Sequence, residues 1–273
     1  MARVLKRKPA VAGTFYPEQP AVLRRMLQEY LDQSGVNPAG SAVRVLVVPH
    51  AGYIYSGPTA ACAFQRVAGS DIERVILLGC SHHFSFEGAC IYTEGAFETP
   101  LGEFPIDETF AARLAERVGN SDPEPHAQEH ALEVELPFLA MSVGIVPIVP
   151  VLFGSRFGEP HMRFAKALLE MTGDNDLIIA SSDLSHYLTE SQANALDHTT
   201  IDTLLKKDVQ AFVGDVQSGR CSVCSLAAVA TAMVYSLECG AAEWSLLDYR
   251  TSARASGDTS RVVGYAAVSM ESD

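Results

Sequence analysis

The sequence predicts an α/β fold: a three-layer αβα domain on a central mixed or mostly parallel sheet. Three observations predict it. Short apolar, β-branched runs recur along the chain, amphipathic stretches of helical period separate them, and no linker, fixed-period repeat or composition shift interrupts the 273 residues. Strands that read as continuous apolar runs are buried on both faces, and the stretches between them supply the covering helices. Residues 1–273 therefore read as one domain, within the size a single core can reach.

In chain order, residues 20–33 open on a proline and carry a helical period, and 43–48 (VRVLVV) form the first β-branched run. Helical period returns at 58–67, again behind a proline, followed by the run at 74–78 (RVILL) and a shorter one at 89–92. Residues 107–118 and 129–143 read as helices, 145–153 as a strand, 161–171 as a helix and 177–180 as a strand. The chain closes with helices at 189–206 and 222–237 and a last strand at 261–268.

Composition narrows the function. The formal net charge is −13, and 48% of residues are hydrophobic, enough for a substantial core and far from a disordered composition. An acidic chain whose basic residues cluster only in the short ARVLKRK start argues against nucleic acid or an anionic membrane as partner. No apolar run reaches the ~18 residues of a transmembrane span, and Lys6, Arg7, Lys8 and Pro9 interrupt any signal-peptide core. A cytoplasmic protein is the expectation. Six cysteines, mostly in apolar segments, argue against a disulfide framework.

The chemistry gathers where strands stop. Residues 45–48 run into Pro49-His50-Ala51-Gly52-Tyr53, 75–78 into Gly79-Cys80-Ser81-His82-His83, and 177–180 into Ser181-Ser182-Asp183-Leu184-Ser185-His186. In open α/β sheets the carboxyl ends of strands are where ligands bind. A fourth group, Glu129, His130 and Glu133, opens an expected helix, where the i, i+3 spacing would set His130 and Glu133 on one face. Two histidines at strand ends with a nearby carboxylate are the parts of a two-histidine, one-carboxylate iron site.

Each piece has a plainer reading. His50 after a proline can be a turn residue, and the Ser182, Asp183, Ser185 run can cap the following helix. His82 and His83 are adjacent, so in extended chain they point opposite ways and at most one enters a shared site. A hydrolase would use Ser81, Ser182 or Cys80 beside a histidine, but the Gly-x-Ser-x-Gly elbow is missing. Cys221 and Cys224 form a single Cys-x-x-Cys pair with no partner pair for structural zinc, which favours packing, although Cys224 does open a small-residue helix. The glycines form no phosphate-cradling loop.

Ala12-Gly13-Thr14-Phe15-Tyr16-Pro17, Pro49-His50-Ala51-Gly52-Tyr53, Gly79-Cys80-Ser81-His82-His83, Glu129-His130 with residues 133–137, Ser181-Ser182-Asp183 with His186, and Gly264-Tyr265-Ala266 together resemble the Memo family, in that family's order and over nearly the whole chain. Prokaryotic members are named as the B component of the AmmeMemoRadiSam system, which implies an AMMECR-type protein and a radical SAM protein as partners. The family is similar in fold to class III extradiol dioxygenases. That similarity implies a metal pocket with His50 and His82 as ligands, His186 as an acid–base group, and His130 and Asp183 lining it. The implied cofactor is divalent iron, with copper the alternative.

In animal members a cysteine is the third ligand, in the segment before the final strand. Ungapped counting between Tyr249 and Tyr265 puts Ala255 there, and alanine cannot ligate; the nearest carboxylate, Asp258, becomes the expected third ligand. The resulting expectation is metal-dependent redox or dioxygenase-like chemistry on a small, possibly aromatic, molecule. The rival is a non-catalytic module whose pocket binds a small ligand or a partner protein.

Overall fold

The computed structural model describes residues 6–40, 42–154 and 156–272. The first half of the chain forms β1 (Lys6–Arg7), α1 (Pro20–Asp32), β2 (Ala42–Val48), α2 (Tyr53–Arg66), β3 (Arg74–Cys80), β4 (Ala89–Ile91), β5 (Ala96–Thr99) and β6 (Gly102–Pro105). It continues through α3 (Glu108–Val118), β7 (Gly119–Asn120), α4 (Leu136–Ser142), β8 (Ile148–Phe153), α5 (Glu159–Met171), β9 (Asp176–Ser181) and β10 (His186–Leu188). The last third holds α6 (Glu190–Leu205), α7 (Val209–Gln217), α8 (Leu226–Glu238), β11 (Glu243–Thr251), the short α9 (Ala253–Ser256) and β12 (Val262–Ser272).

The main sheet runs β10-β12-β2-β9-β3-β8-β4-β7, with β11 on the free side of β12, and a small separate sheet joins β1, β5 and β6. Its centre is parallel: Val48 pairs with Ser181, Leu78 with Ala180 and Cys80 with Phe153. Antiparallel strands flank that centre, β12 against β2 and β4 against β8, so the sheet is mixed, as the sequence predicts. Helices α1, α2 and α4 pack together on one face and α3, α5, α7 and α8 on the other, which completes the three layers. The central strands are apolar on both sides and Val48, Ile76, Leu78, Ile178 and Ala180 are wholly buried, the burial pattern that parallel strands require. Among the described residues no helix is long and apolar enough to cross a membrane.

All six expected strands form, with ends shifted by a few residues. The helix expected at 58–67 begins earlier, at Tyr53, where the Phe15 carbonyl accepts the Tyr53 N–H at 2.8 Å and so satisfies a donor of the first turn. The helix expected over 129–143 is a correction. A helix covers only Leu136–Ser142, behind a single 3₁₀ turn at Glu133–Glu135. Before that turn, Glu129 bends the chain by accepting from the Ala131 N–H at 3.0 Å, so His130 and Glu133 do not share a helical face. Strand β11 went unexpected because Glu243, Ser245 and Leu246 are exposed and only Trp244 and Thr251 are buried, leaving a weak apolar signal.

Glu133 instead fastens the N-terminal segment. Its carboxylate, wholly buried, pairs with the Arg7 guanidinium and accepts from Ala10 N at 2.7 Å, Val11 N at 3.0 Å and Tyr16 Oη at 2.6 Å. Arg7 also donates to the carbonyls of His126 and Glu129. Both buried charges, Arg7 and Glu133, have partners, which is the condition for burying them. The strap carries Phe15 to the carboxyl edge of the sheet, 4.9 Å ring to ring from His130. Lys6–Lys8 of the basic start lie in and beside β1, and residues 1–5 lie outside the described residues.

On the other side of the sheet centre, Gly264 of β12 donates its N–H to the Ser185 carbonyl and accepts from the Leu184 N–H, both at 2.9 Å, while the Ser185 N–H donates to Asp197 of α6. A Cβ on Gly264 would fall 1.8 Å from Asp197 Oδ2, and Asp197 is held by Ser185 N and Tyr249 Oη. Gly264→Ala is therefore expected to cost about 2–4 kcal/mol, read as a fall in the urea midpoint at unchanged slope; a change under ~0.5 kcal/mol would show that α6 yields freely.

Candidate metal centre

Strands β2 and β3 lie on either side of β9, so their carboxyl ends are about 10 Å apart, two strand spacings, with the end of β9 between them. His50 follows β2 and His82 follows β3, and both imidazoles lean over that gap: their ring centroids are 5.2 Å apart. His130 stacks on His82 at 4.5 Å and meets His50 edge-on at 5.4 Å. From a distant stretch, the loop before α8 places Cys224 against the same point. His50, His82 and Cys224 each offer a donor atom within 4.8 Å of the others, and His82, Glu129 and His130 form a second such group.

Hydrogen bonds fix which ring nitrogens face inward. His50 Nδ1 is 2.8 Å from Ser181 Oγ, which leaves Nε2 at 3.3 Å from Cys224 Sγ. His82 Nδ1 is 2.8 Å from Glu129 Oε1, and its backbone N–H reaches Glu129 Oε2 at 2.6 Å, so its free nitrogen is also Nε2. Oriented imidazoles of this kind are what metal ligation demands of the groups behind a ligand. Cys224 is held by its own N–H to the Asp183 carbonyl at 3.1 Å, while the Asp183 N–H points back at Sγ from 3.2 Å. Asp183 Oδ1 accepts from the His50 backbone N–H at 2.8 Å. Gly79 lets the Ala131–Leu132 turn lie against β3, since a Cβ there would sit 2.8 Å from the Leu132 side chain.

The electrostatics divide the cluster. Burial disfavours charge on His50, but Cys224, Asp183 and Glu135 outweigh it and raise its pKa to about 10. Cys224 and Glu129 raise His82 to about 9. Burial opposes ionisation of Cys224, yet the Cys80 thiol and the two imidazoles hold it well below the ordinary thiol value. Burial opposes charge on Glu129 as well, and its hydrogen bonds from His82 bring it to about 2. His130 goes the other way: burial and the His50 charge lower it to about 4, so it is neutral at pH 7. Burial lifts Glu135 to about 8, which keeps it protonated at neutral pH. Ser181 has one proton; given to the Ala131 carbonyl at 2.6 Å, it leaves Oγ to accept from His50 Nδ1 and from Glu135 at 2.9 Å. No group in that chain is left unpaired.

Of the residues expected from sequence, His50, His82, His130 and Asp183 come together. His186 stands nearby, its Nδ1 donating to the Leu184 carbonyl at 3.0 Å, but it belongs to neither donor group. Asp258 is a correction. It is fully exposed, accepts from Ser260 N at 2.8 Å and Ser260 Oγ at 2.6 Å, and belongs to neither group. The turn after α9 closes on Gly257 in the left-handed region, φ 72°, and commits the Asp258 carboxylate to its own loop. The donor that converges with His50 and His82 is Cys224, from the loop before α8 rather than the segment before the last strand. Packing describes Cys221, buried with Sγ 3.8 Å from the Thr199 carbonyl, but not Cys224. The one sequence signal for Cys224 was its position at the start of a small-residue helix.

The hydrolase alternative finds no geometry. Ser81 Oγ accepts from Phe84 N, Ser182 Oγ donates to the Asp183 carbonyl, and among the described residues neither hydroxyl bonds a histidine ring. Cys80 is held as a thiol, above its ordinary value, by donating to Cys224 and by burial.

A three-layer α/β protein with two oriented imidazoles and a thiolate at the carboxyl edge of its parallel strands is the class defined so far. The model of the Memo family, described as Memo-like protein, matches residues 7–269, and the chain belongs to that family. It is 35% identical over 278 residues to a MEMO1 family protein of Methanopyrus kandleri, covering 97% of this chain and 98% of that one. A MEMO1 family protein of Archaeoglobus fulgidus is 36% identical over 266 residues, with 96% and 98% covered, and one of Nitrosopumilus maritimus 32% identical over 271, with 96% and 98% covered.

Raised histidines carry their charge-dependent stabilisation in full below the free value of 6.5 and lose it as pH rises through the folded value. In metal-free, reduced protein, imidazole nitrogen NMR should show His82 titrating near 9 and His130 near 4. Both titrating near 6.5 would remove the charge separation described here.

Proposed function

We propose that this chain is a metal-binding protein of redox or dioxygenase-like function, with a redox-active transition metal, divalent iron or alternatively copper, held by His50 Nε2, His82 Nε2 and Cys224 Sγ. The observation that carries this reading is the convergence of three donors within 4.8 Å, each imidazole turned by a separate hydrogen-bond acceptor. The donor set fits such a cation. Imidazole suits iron and copper alike, thiolate is a ligand to both, and three protein ligands leave coordination positions open for a substrate. The bound metal would supply Lewis acidity and one-electron chemistry.

The chain's own groups then do the following. Glu129 and Ser181 keep the two inward nitrogens aimed at one point. His130, neutral and stacked on His82, can take a proton from a substrate hydroxyl, and its position 3.3 Å from Glu129 Oε1 stabilises the imidazolium formed. Asp183 holds the His50 backbone in place, and His186 offers Nε2 as a second acid–base group at the rim. Phe15 beside His130 gives a flat apolar wall, which supports a small, planar, aromatic substrate. Six unpaired cysteines fit work in a reducing compartment such as the cytoplasm. Partnership with an AMMECR-type protein and a radical SAM protein belongs to the same proposal and rests on family membership.

Anaerobic titration with iron(II), and with cobalt(II) as spectroscopic probe, tests the site. Stoichiometric binding with thiolate-to-cobalt absorption is expected; His50→Ala, His82→Ala and Cys224→Ser should each weaken it at least about tenfold to a hundredfold, and Asp258→Ala should leave it unchanged. Because both imidazoles are charged at neutral pH, binding should release about two protons and strengthen steeply between pH 6 and 8. Wild-type protein that stays metal-free under these conditions refutes the reading. Oxygen uptake with a panel of catechols then separates an enzyme from a binding module.

A further inference from the structure

The metal reading uses one of two sulfurs present. Cys80, the last residue of β3, lies with Sγ 3.5 Å from His82 Nε2, and the His82 ring in turn converges with the Cys224 sulfur. It is not part of the group of donors that converge within 4.8 Å. Both sulfurs therefore neighbour the same imidazole.

Cys224 has the surroundings of a reactive sulfur. The Asp183 N–H at 3.2 Å, Ser182 Oγ at 3.5 Å, Ser225 Oγ at 3.7 Å and His50 Nε2 at 3.3 Å all lie around Sγ, and the residue stands just before the first turn of a 13-residue helix. Convergent donors at a helix N-terminus are the setting in which cysteine attacks electrophiles. Both cysteines are half-buried residues, and the His82 side chain beside them is 32% exposed, so this side of the cluster faces solvent.

We propose that Cys80 and Cys224 form a redox modification site: a hydroperoxide oxidises the pair to a disulfide when no metal covers Cys224. The Cys224 sulfur attacks the distal peroxide oxygen, the O–O bond breaks, and water or an alcohol leaves with the second oxygen. Cys224 is then a sulfenic acid. The Cys80 sulfur attacks it, the S–O bond breaks, water leaves with the two remaining protons, and the peroxide has taken two electrons from the two thiols. The product withdraws one of the three donors from the cation site. Metal loading and thiol oxidation thereby compete for the same sulfur.

The test is made on the metal-free, reduced full chain treated with a small excess of hydrogen peroxide, quenched by alkylation and digested without reductant. The expected result is a linked pair of peptides containing Cys80 and Cys224, with the other four thiols alkylated. In Cys80→Ser the linked pair should vanish and a dimedone adduct appear on Cys224. Prior loading with cobalt(II) should slow disulfide formation at least about tenfold, and the oxidised protein should lose thiolate-to-cobalt absorption until a dithiol reductant restores it. All six cysteines remaining alkylatable, or links joining other cysteines, would overturn the proposal, and the wild-type digest decides that without any variant. Protein that forms the disulfide but never binds cobalt refutes the metal reading and leaves this one standing.

Discussion

Everything at this site depends on the parallel pairing of β2, β9 and β3. Parallel neighbours end on the same edge, and the register that sets Val48 beside Ser181 and Leu78 beside Ala180 makes those ends level. His50 and His82 are each two residues beyond their strand ends, a reach short enough for two side chains to meet over the middle strand. Ser181 ends that middle strand and Asp183 follows it by two residues, so the groups that orient His50 belong to the same edge. A slip of one residue in β9 would turn Ser181 to the opposite face and leave His50 Nδ1 without its partner.

The surrounding charges follow from the burial of the three carboxylates Glu129, Glu133 and Glu135. Buried carboxylates persist only when neutralised or paired, and the cluster uses both solutions. Glu129 is paired with His82 and two backbone donors, Glu133 with Arg7, and Glu135 keeps its proton. The difference is functional. Glu129 remains an anion behind His82 and supports its charge, whereas Glu135, lifted by burial behind Ser181, ranks behind Cys224 and Asp183 in supporting the charge on His50. The two imidazoles are thus tuned from opposite sides by different means.

Much of this was legible in the sequence. β-branched runs gave the central strands, because a run too short for a helix and rich in Val, Ile and Leu is what a strand buried on both faces leaves in sequence, and the polar residues following those runs marked the edge where the donors gather. His50 and His82 followed from position alone. The third donor did not, for a physical reason: the loop before α8 reaches the site through tertiary packing against the segment after β9, and apart from its place at a helix start nothing local distinguishes Cys224 from the buried Cys221. Counting along the chain toward β12 led to Asp258 because nearness in sequence stood in for nearness in space. The turn at 129–132 was equally hidden, since Glu129 bends the backbone with a side chain that a helical period counts as merely polar.

Sulfur in place of a carboxylate changes what the edge can do. A carboxylate donor is chemically inert toward peroxide, so a two-histidine, one-carboxylate site can lose its metal and regain it unaltered. A thiolate donor cannot, because the electron density that binds a cation also attacks an oxidant. The consequence falls on Cys80, which stands outside the converging donors yet shares the His82 imidazole as a neighbour with Cys224. Without a neighbouring thiol, oxidation of Cys224 proceeds toward sulfinic acid and the donor is lost for good; with one, it can stop at a disulfide that a reductant reverses. Cys80 therefore has a physical reason to stand where it does whether or not it ever touches the metal.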